Sequence, residues 1–130
     1  MKTIRRTLMV LLVPLLVGGL TASAGAQEMT VEAAIAMDVV DRMPVDTAST
    51  FSADVGQLWC WTKITGAEGM TIEHVWSYGE WEWVVPLQIG GSPWRTYTSK
   101  KVMADWTGDW TVTVRTSAGE VLETINFTVQ

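Results

Sequence analysis

The sequence contains one histidine and one cysteine, residue types that supply the base and the nucleophile of many hydrolases. A Cys60–His74 pair would need an accessible thiol with a lowered pKa. His74, however, alternates with Ile72 and Trp76, and Cys60 follows Leu58 by two positions. This pattern indicates a hydrogen-bonded histidine and a small thiol, both inside the core. We therefore predict no catalytic residue, and a hydrolase using His74 is the weakest of our hypotheses.

Acidic residues offer little further chemistry. Glu80 and Glu82 lie two positions apart, about 7 Å along a strand, which falls between the carboxylate spacings of retaining and inverting glycosidases. The two residues also fit the solvent-facing side of an antiparallel strand, and we prefer that interpretation. A metal site needs several ligands at workable spacing, and one histidine and one cysteine are too few. We predict no metal and no cofactor.

Eight tryptophans lie between positions 59 and 110. Each supplies apolar area, an N–H donor and a π face on which a ligand can stack. Trp59 and Trp61 alternate with apolar residues, so either a second layer covers them or they form an exposed aromatic surface. Trp106, in a loop before Gly108, is another candidate for exposure. Because exposed aromatic patches mark binding surfaces, we predict ligand binding at Trp59, Trp61 and Trp106.

The basic residues near position 100 could add polar contacts to such a site. Arg95, Lys100 and Lys101 form the one basic cluster of an acidic region. A guanidinium can bind a carboxylate through two hydrogen bonds, so we predict Arg95 and Lys100 as ligand contacts. Alternatively, Arg95 stacks on a tryptophan or pairs with an acid on a neighbouring strand.

Period-two alternation of apolar residues predicts the elements that position these side chains. We predict strands at residues 31–40, 57–64, 71–77, 80–89, 94–99, 110–115 and 121–129, and a loop at 45–56. About seven strands without a helix predict an all-β, antiparallel two-sheet sandwich, immunoglobulin-like in topology. A small closed β-barrel is the alternative.

The segment at residues 80–89 shows the alternation best. Trp81 and Trp83 share its aliphatic face, and Trp110 shares the aliphatic face of its own strand, so we expect all three in the core. Residues 90–93, Gly-Gly-Ser-Pro, predict a turn that joins this strand to residues 94–99 in a hairpin. That hairpin would place Glu82 opposite Lys101 as a cross-strand ion pair.

The first 26 residues have the pattern of a secretory signal. A basic start is followed by 13 apolar-rich residues at 8–20 and by small residues up to Ala26. We predict cleavage near Ala26, which leaves residues 27–130 as one domain without a membrane span, either periplasmic or secreted. This part has six Lys and Arg against 14 Asp and Glu, a net charge of −8. Such acidity argues against nucleic acid and favours neutral or cationic partners.

Four ordered segments carry a family resemblance: Trp59–Thr62, His74–Trp76, Trp94–Lys100 and Gly108–Trp110. Together they resemble the bacterial family known as domain of unknown function 2914, over about residues 35–129. Trp59 and Trp61 stand where Tyr and Phe are commoner in that family, and Tyr97 where Trp is commoner. The resemblance implies a short exported β domain, with Cys60, His74, Trp76, Trp94, Gly108 and Trp110 as motif residues. It implies no reaction and no ligand.

Three functional hypotheses follow. The first is a non-catalytic exported module that binds a protein partner or an envelope glycan through aromatic surface residues. The second is a purely structural or assembly domain with all its tryptophans in the core. The third is the hydrolase using His74.

Overall fold

The computed structural model describes residues 28–130, and the predicted signal segment at residues 1–26 lies outside the described residues. The described part contains nine strands and no α-helix, so none of its segments is a helix able to cross a membrane. The strands are β1 (Thr30–Val40), β2 (Met43–Thr47), β3 (Thr50–Phe51), β4 (Gln57–Thr65), β5 (Thr71–Tyr78), β6 (Trp81–Gln88), β7 (Trp94–Lys101), β8 (Gly108–Thr116) and β9 (Val121–Val129).

The strands form two sheets. One has the order β2-β1-β4-β7 and the other β3-β9-β8-β5-β6, and all neighbours are antiparallel except β3 with β9. The predicted two-sheet sandwich is thus confirmed, and the closed barrel is wrong because the strands form two separate sheets. The seven long strands also follow an immunoglobulin-like order, in which β1, β4 and β7 correspond to A-B-E and β9, β8, β5 and β6 to G-F-C-C′.

Two short strands were not predicted. Residues 45–56, expected as a loop, contain the end of β2 and all of β3. β2 pairs with the second half of β1 to form a hairpin, hereafter the β1–β2 hairpin, residues 36–47. Only three non-glycine residues of the described chain have positive φ, and all lie in this hairpin: Asp41 (52°), Arg42 (64°) and Asp46 (58°).

The hairpin predicted between β6 and β7 is wrong. β6 pairs with β5 and β7 pairs with β4, so residues 89–93 cross from one sheet to the other. Alternation shows which face of a strand is buried but not which strand is its neighbour. Consequently Glu82 lies opposite Ser77 and Lys101 opposite Gln57, and the expected Glu82–Lys101 pair does not form.

Two apolar clusters fill the space between the sheets, on either side of His74. The larger cluster contains Trp76, Trp110, Phe127, Leu58 and Cys60 among others. The smaller cluster contains Ile64, Ala67, Ile72, Ile89 and Val114. On β5, Ile72 and Trp76 flank His74 and belong to different clusters, so a polar layer lies between the two apolar parts of the core.

Candidate functional site

His74 is fully buried and hydrogen-bonds to two strands of the opposite sheet. Its Nε2 lies 3.1 Å from Oγ1 of Thr62 on β4, and its Nδ1 lies 2.8 Å from Oγ1 of Thr98 on β7. Oγ1 of Thr62 also donates to the Thr96 carbonyl at 3.0 Å, and the indole N–H of Trp76 donates to Oγ1 of Thr98 at 3.0 Å. These five residues form a continuous chain of hydrogen bonds between the sheets.

The chain assigns the tautomer of His74. Because Thr62 gives its hydroxyl proton to a carbonyl, its oxygen accepts from Nε2–H. Thr98 accepts the indole proton and gives its own proton to Nδ1, which therefore carries none. A neutral imidazole satisfies every polar group in the layer, whereas a second ring proton, on Nδ1, would take the place of the Thr98 hydroxyl proton and deprive that proton of its acceptor.

Burial also sets the protonation of the two candidate catalytic groups. It lowers the pKa of His74 to about 4 and raises the pKa of the Cys60 thiol to about 12. At neutral pH the imidazole is uncharged and the thiol is protonated, and the side chains of both residues are closed to solvent. Their burial agrees with the interpretation of both as core residues, because no dissolved substrate reaches either group.

Trp61 is covered and does not belong to an exposed aromatic surface, which was one of our two alternatives for this residue. Only 3% of it is accessible to solvent, although it points away from the other sheet. Its indole N–H donates to the Arg42 carbonyl at 2.8 Å, at the tip of the β1–β2 hairpin. The guanidinium of Arg42 lies 5.8 Å from the ring centroid of Trp94. The hairpin therefore folds over this part of the sheet and is the second layer that one of our alternatives required.

Trp59, two residues away on the same face, remains accessible. It is half-buried, and its ring lies 6.0 Å from the ring of Tyr97 at an interplanar angle of 66°. Tyr97 is 39% exposed and belongs to β7, the edge strand. Arg95, also exposed, projects from the same face of β7 two residues earlier. Two predicted contacts, Trp59 and Arg95, thus lie on one surface with Tyr97.

Basic residues surround this aromatic pair. Lys63 is the cross-strand partner of Arg95, and Lys101 is the partner of Gln57 at the other end of the face. We call the surface formed by Lys63, Trp59, Arg95, Tyr97 and Lys101 the open face. Neither β4 nor β7 contains an Asp or Glu residue. None of the three cations belongs to the single ion pair of the described residues.

Trp106 and Lys100 lie elsewhere, on the inner side of β7. The Lys100 ammonium is 4.0 Å from the ring centroid of Trp83 and 5.3 Å from that of Trp106. Burial, followed by the charge of Lys101, lowers the pKa of Lys100. Because the ammonium is stacked over two indoles of its own chain, Lys100 and Trp106 do not join the open face. The five predicted ligand contacts therefore do not form one site.

The remaining tryptophans divide between core and surface. Trp110 is buried, as predicted, and stacks on Tyr78 with ring centroids 4.6 Å apart. Trp83 is only half-buried, and Trp81 is 67% exposed, so the prediction of Trp81 as a core residue is wrong. Trp81 is the first residue of an edge strand, next to the turn at Gly79, so it lies at a corner of its sheet.

Most of the family motif residues lie in the core or pack against it. Cys60, His74, Trp76 and Trp110 are buried, and Trp94 is half-buried against the smaller cluster. Gly108 begins β8 with a φ of 111°, a conformation that disfavours other residues.

Sequence reasoning missed Lys63 and Tyr97. Tyr97 alternates with Arg95, so the signal for their shared face was present in the sequence. Lys63 becomes part of the site only through its pairing with Arg95, and that register requires the structure.

A shallow groove of about 440 Å³ lies on the five-stranded sheet, remote from the open face. It is lined by Ser49, Thr50, Asp109, Trp110, Thr111, Asn126, Phe127 and Thr128. The hydroxyl of Thr111 donates to Oδ1 of Asn126 at 3.0 Å, so part of its polar lining is already hydrogen-bonded. No basic residue and no exposed aromatic ring line it, and we do not regard it as the site.

The sequence comparisons give one family. The model of the family described as "Protein of unknown function (DUF2914)" matches residues 69–129. The match contains three of the four ordered segments, while the fourth, at residues 59–62, lies before it. No curated protein matches the chain. The family match includes β7 of the open face but not β4.

Proposed function

Through residues 69–129 the chain belongs to the DUF2914 family, whose description gives no function, and from the geometry we propose a non-catalytic binding domain. Its ligand is an envelope glycan, which lies along the open face. Trp59 and Tyr97 contact the sugar rings, and Arg95 supplies hydrogen bonds. The domain acts in an exported protein.

The accessible Trp59–Tyr97 pair carries this proposal. Its rings, 6.0 Å apart in an edge-to-face arrangement, hold each other in place on a flat sheet face. Rigid aromatic side chains of this kind lose little conformational entropy when a ligand binds. Burial of aromatic surface supplies affinity, and the guanidinium of Arg95 supplies directed donors.

The burial of His74 and Cys60 supports a role without catalysis. Neither group is accessible, the protonated thiol of Cys60 is inactive as a nucleophile at neutral pH, and the lowered pKa of His74 makes its neutral imidazole a weak base. Within residues 28–130, moreover, no group of three or more His, Cys, Asp or Glu residues is arranged to hold a metal.

Calorimetric titration with a panel of soluble envelope polysaccharides tests the proposal. We expect one of them to bind the wild-type protein and to bind Trp59→Ala and Tyr97→Ala at least about tenfold more weakly, because each change removes a central contact. Trp81→Ala is the matched control, since it removes an exposed indole far from the open face. Unchanged binding by folded Trp59→Ala would refute the assignment. Absence of binding across the panel would favour the structural or assembly domain.

Export is a separate part of the proposal. We expect N-terminal sequencing of the protein produced in a bacterial host to start at Gln27, because small residues up to Ala26 fit signal cleavage. Recovery in the cytoplasm with residues 1–26 still attached would contradict it.

A further inference from the structure

The open face carries charges opposite to those of the rest of the domain. Residues 28–130 have six Lys and Arg against 14 Asp and Glu, yet three of those cations, Lys63, Arg95 and Lys101, share this face. The net charge alone predicts neutral or cationic partners. Charges act mainly within about 8–10 Å in physiological salt, so the local cations determine what the face attracts.

Two of the cations face each other directly. Lys63 and Arg95 are cross-strand partners, and like charges in this position destabilise a sheet. Glu32 is the partner of Lys63 on its other side, but no ion pair joins the two. Arg95 has no strand on its other side, because β7 is an edge. In the described residues, no carboxylate is within ion-pair distance of either cation.

An anionic group bound between the two cations would remove this repulsion. A guanidinium binds a carboxylate through two parallel hydrogen bonds, and the nearby ammonium adds a further donor. Tyr97 follows Arg95 by two residues on the same face of β7, and Trp59 follows beyond the covered Trp61 on β4. Lys101 is about 20 Å from Arg95 along β7, six residues away. The order is therefore cations, aromatic rings and a further cation.

We propose that the open face selects an acidic polysaccharide, whose carboxylates contact Lys63, Arg95 and Lys101 while its sugar rings contact Trp59 and Tyr97. This inference rests on the proposed function and specifies its ligand class. Widely spaced cations separated by aromatic rings fit a chain with carboxylates on sugar rings. A polyphosphate has no sugar rings and would leave Trp59 and Tyr97 without a contact.

Polygalacturonate and its methyl ester are the decisive probes, because they share a backbone and differ in charge. We expect the wild-type protein to bind the acid roughly tenfold more tightly than the ester at low salt. High salt should largely abolish this difference, since it screens exposed charges.

Single substitutions locate the effect. Lys63→Gln and Arg95→Gln should each weaken binding of the acid by about threefold and leave binding of the ester unchanged. Lys100→Gln is the matched control, because it removes the same charge from the inner side of β7. Trp59→Ala should weaken binding of both polymers.

The outcomes separate this inference from the proposed function. Equal affinity for acid and ester would overturn the selectivity and leave glycan binding intact. Binding of polyglutamate but of neither polysaccharide would identify an acidic polypeptide as the partner and overturn both. Failure of every glycan to bind would likewise overturn both.

Discussion

The outer face of the four-stranded sheet has two halves with different access to solvent. Trp61 lies under the tip of the β1–β2 hairpin, where the Arg42 carbonyl accepts its indole proton. Trp59, two residues earlier on the same face, contacts Tyr97 and remains accessible. The two indoles have the same local environment in the sequence. Their different roles arise from a hairpin that is distant from them in the chain and folds over only one of them.

Replacement of the two tryptophans by alanine gives the largest effect. Trp61→Ala should lower the free energy of unfolding by about 3–5 kcal/mol, because it leaves a cavity and removes the partner of the Arg42 carbonyl. Trp59→Ala should cost clearly less, since part of this indole is already in contact with water. Urea denaturation of both variants measures the difference. Equal losses would mean that the hairpin does not distinguish the two halves.

A second prediction concerns the protonation of His74 in the closed interior between the sheets. His74 has a pKa of about 4 when folded and an ordinary value of 6.5. The unfolded chain therefore binds a proton first as the pH falls. Stability from neutral His74 is complete above pH 6.5 and is lost progressively towards pH 4, by roughly 3 kcal/mol in total.

Urea denaturation between pH 7 and pH 4 measures this loss. His74→Gln is the control, because it retains the carboxylates, which also titrate in acid, but lacks the imidazole. The wild-type protein should lose stability more steeply than this variant over the same range. Parallel pH profiles would show that His74 is not neutral in the folded protein.

The smallest expected effect concerns the hairpin that creates the two halves. Asp41 and Arg42 both have positive φ, which costs L-residues about 1–2 kcal/mol each, although less for Asp. Asn-Gly is preferred in such two-residue turns. Combined Asp41→Asn and Arg42→Gly substitution should therefore stabilise the protein by about 1 kcal/mol and retain the backbone carbonyl that covers Trp61. Thr47→Gly, at an ordinary strand position, should instead destabilise it. Thermal unfolding compares the variants.

The sequence predicts the strands well, because alternation depends only on neighbouring residues. The long strands appear near their expected positions, including β1, where alanine-rich composition would favour a helix. Which strands pair is harder to predict, because pairing depends on residues far apart in the sequence. The turn at residues 90–93 was therefore predicted to join two paired strands, although it connects strands of different sheets.

The candidate site shows the same division. Arg95 and Trp59 were predicted from residue type, and the face they occupy follows from alternation. That Trp61 is covered depends on the hairpin tip, and that Trp81 is exposed depends on its position at the end of an edge strand. Lys100 was grouped with Arg95 because the two are close in sequence, but its ammonium lies over Trp83.

The hydrogen bonds of His74 also determine how the two sheets are aligned. Apolar surfaces tolerate small displacements, since aliphatic side chains pack in several arrangements. A shift of either sheet by two residues, however, would place Ile64 or Cys60 where Thr62 now binds the imidazole and leave Nε2 without its hydroxyl partner, at a cost of about 1–3 kcal/mol. His74→Leu should therefore yield a domain that still folds but samples several sheet alignments, visible as broadened NMR signals. A single sharp set of signals would show that apolar packing alone fixes the alignment.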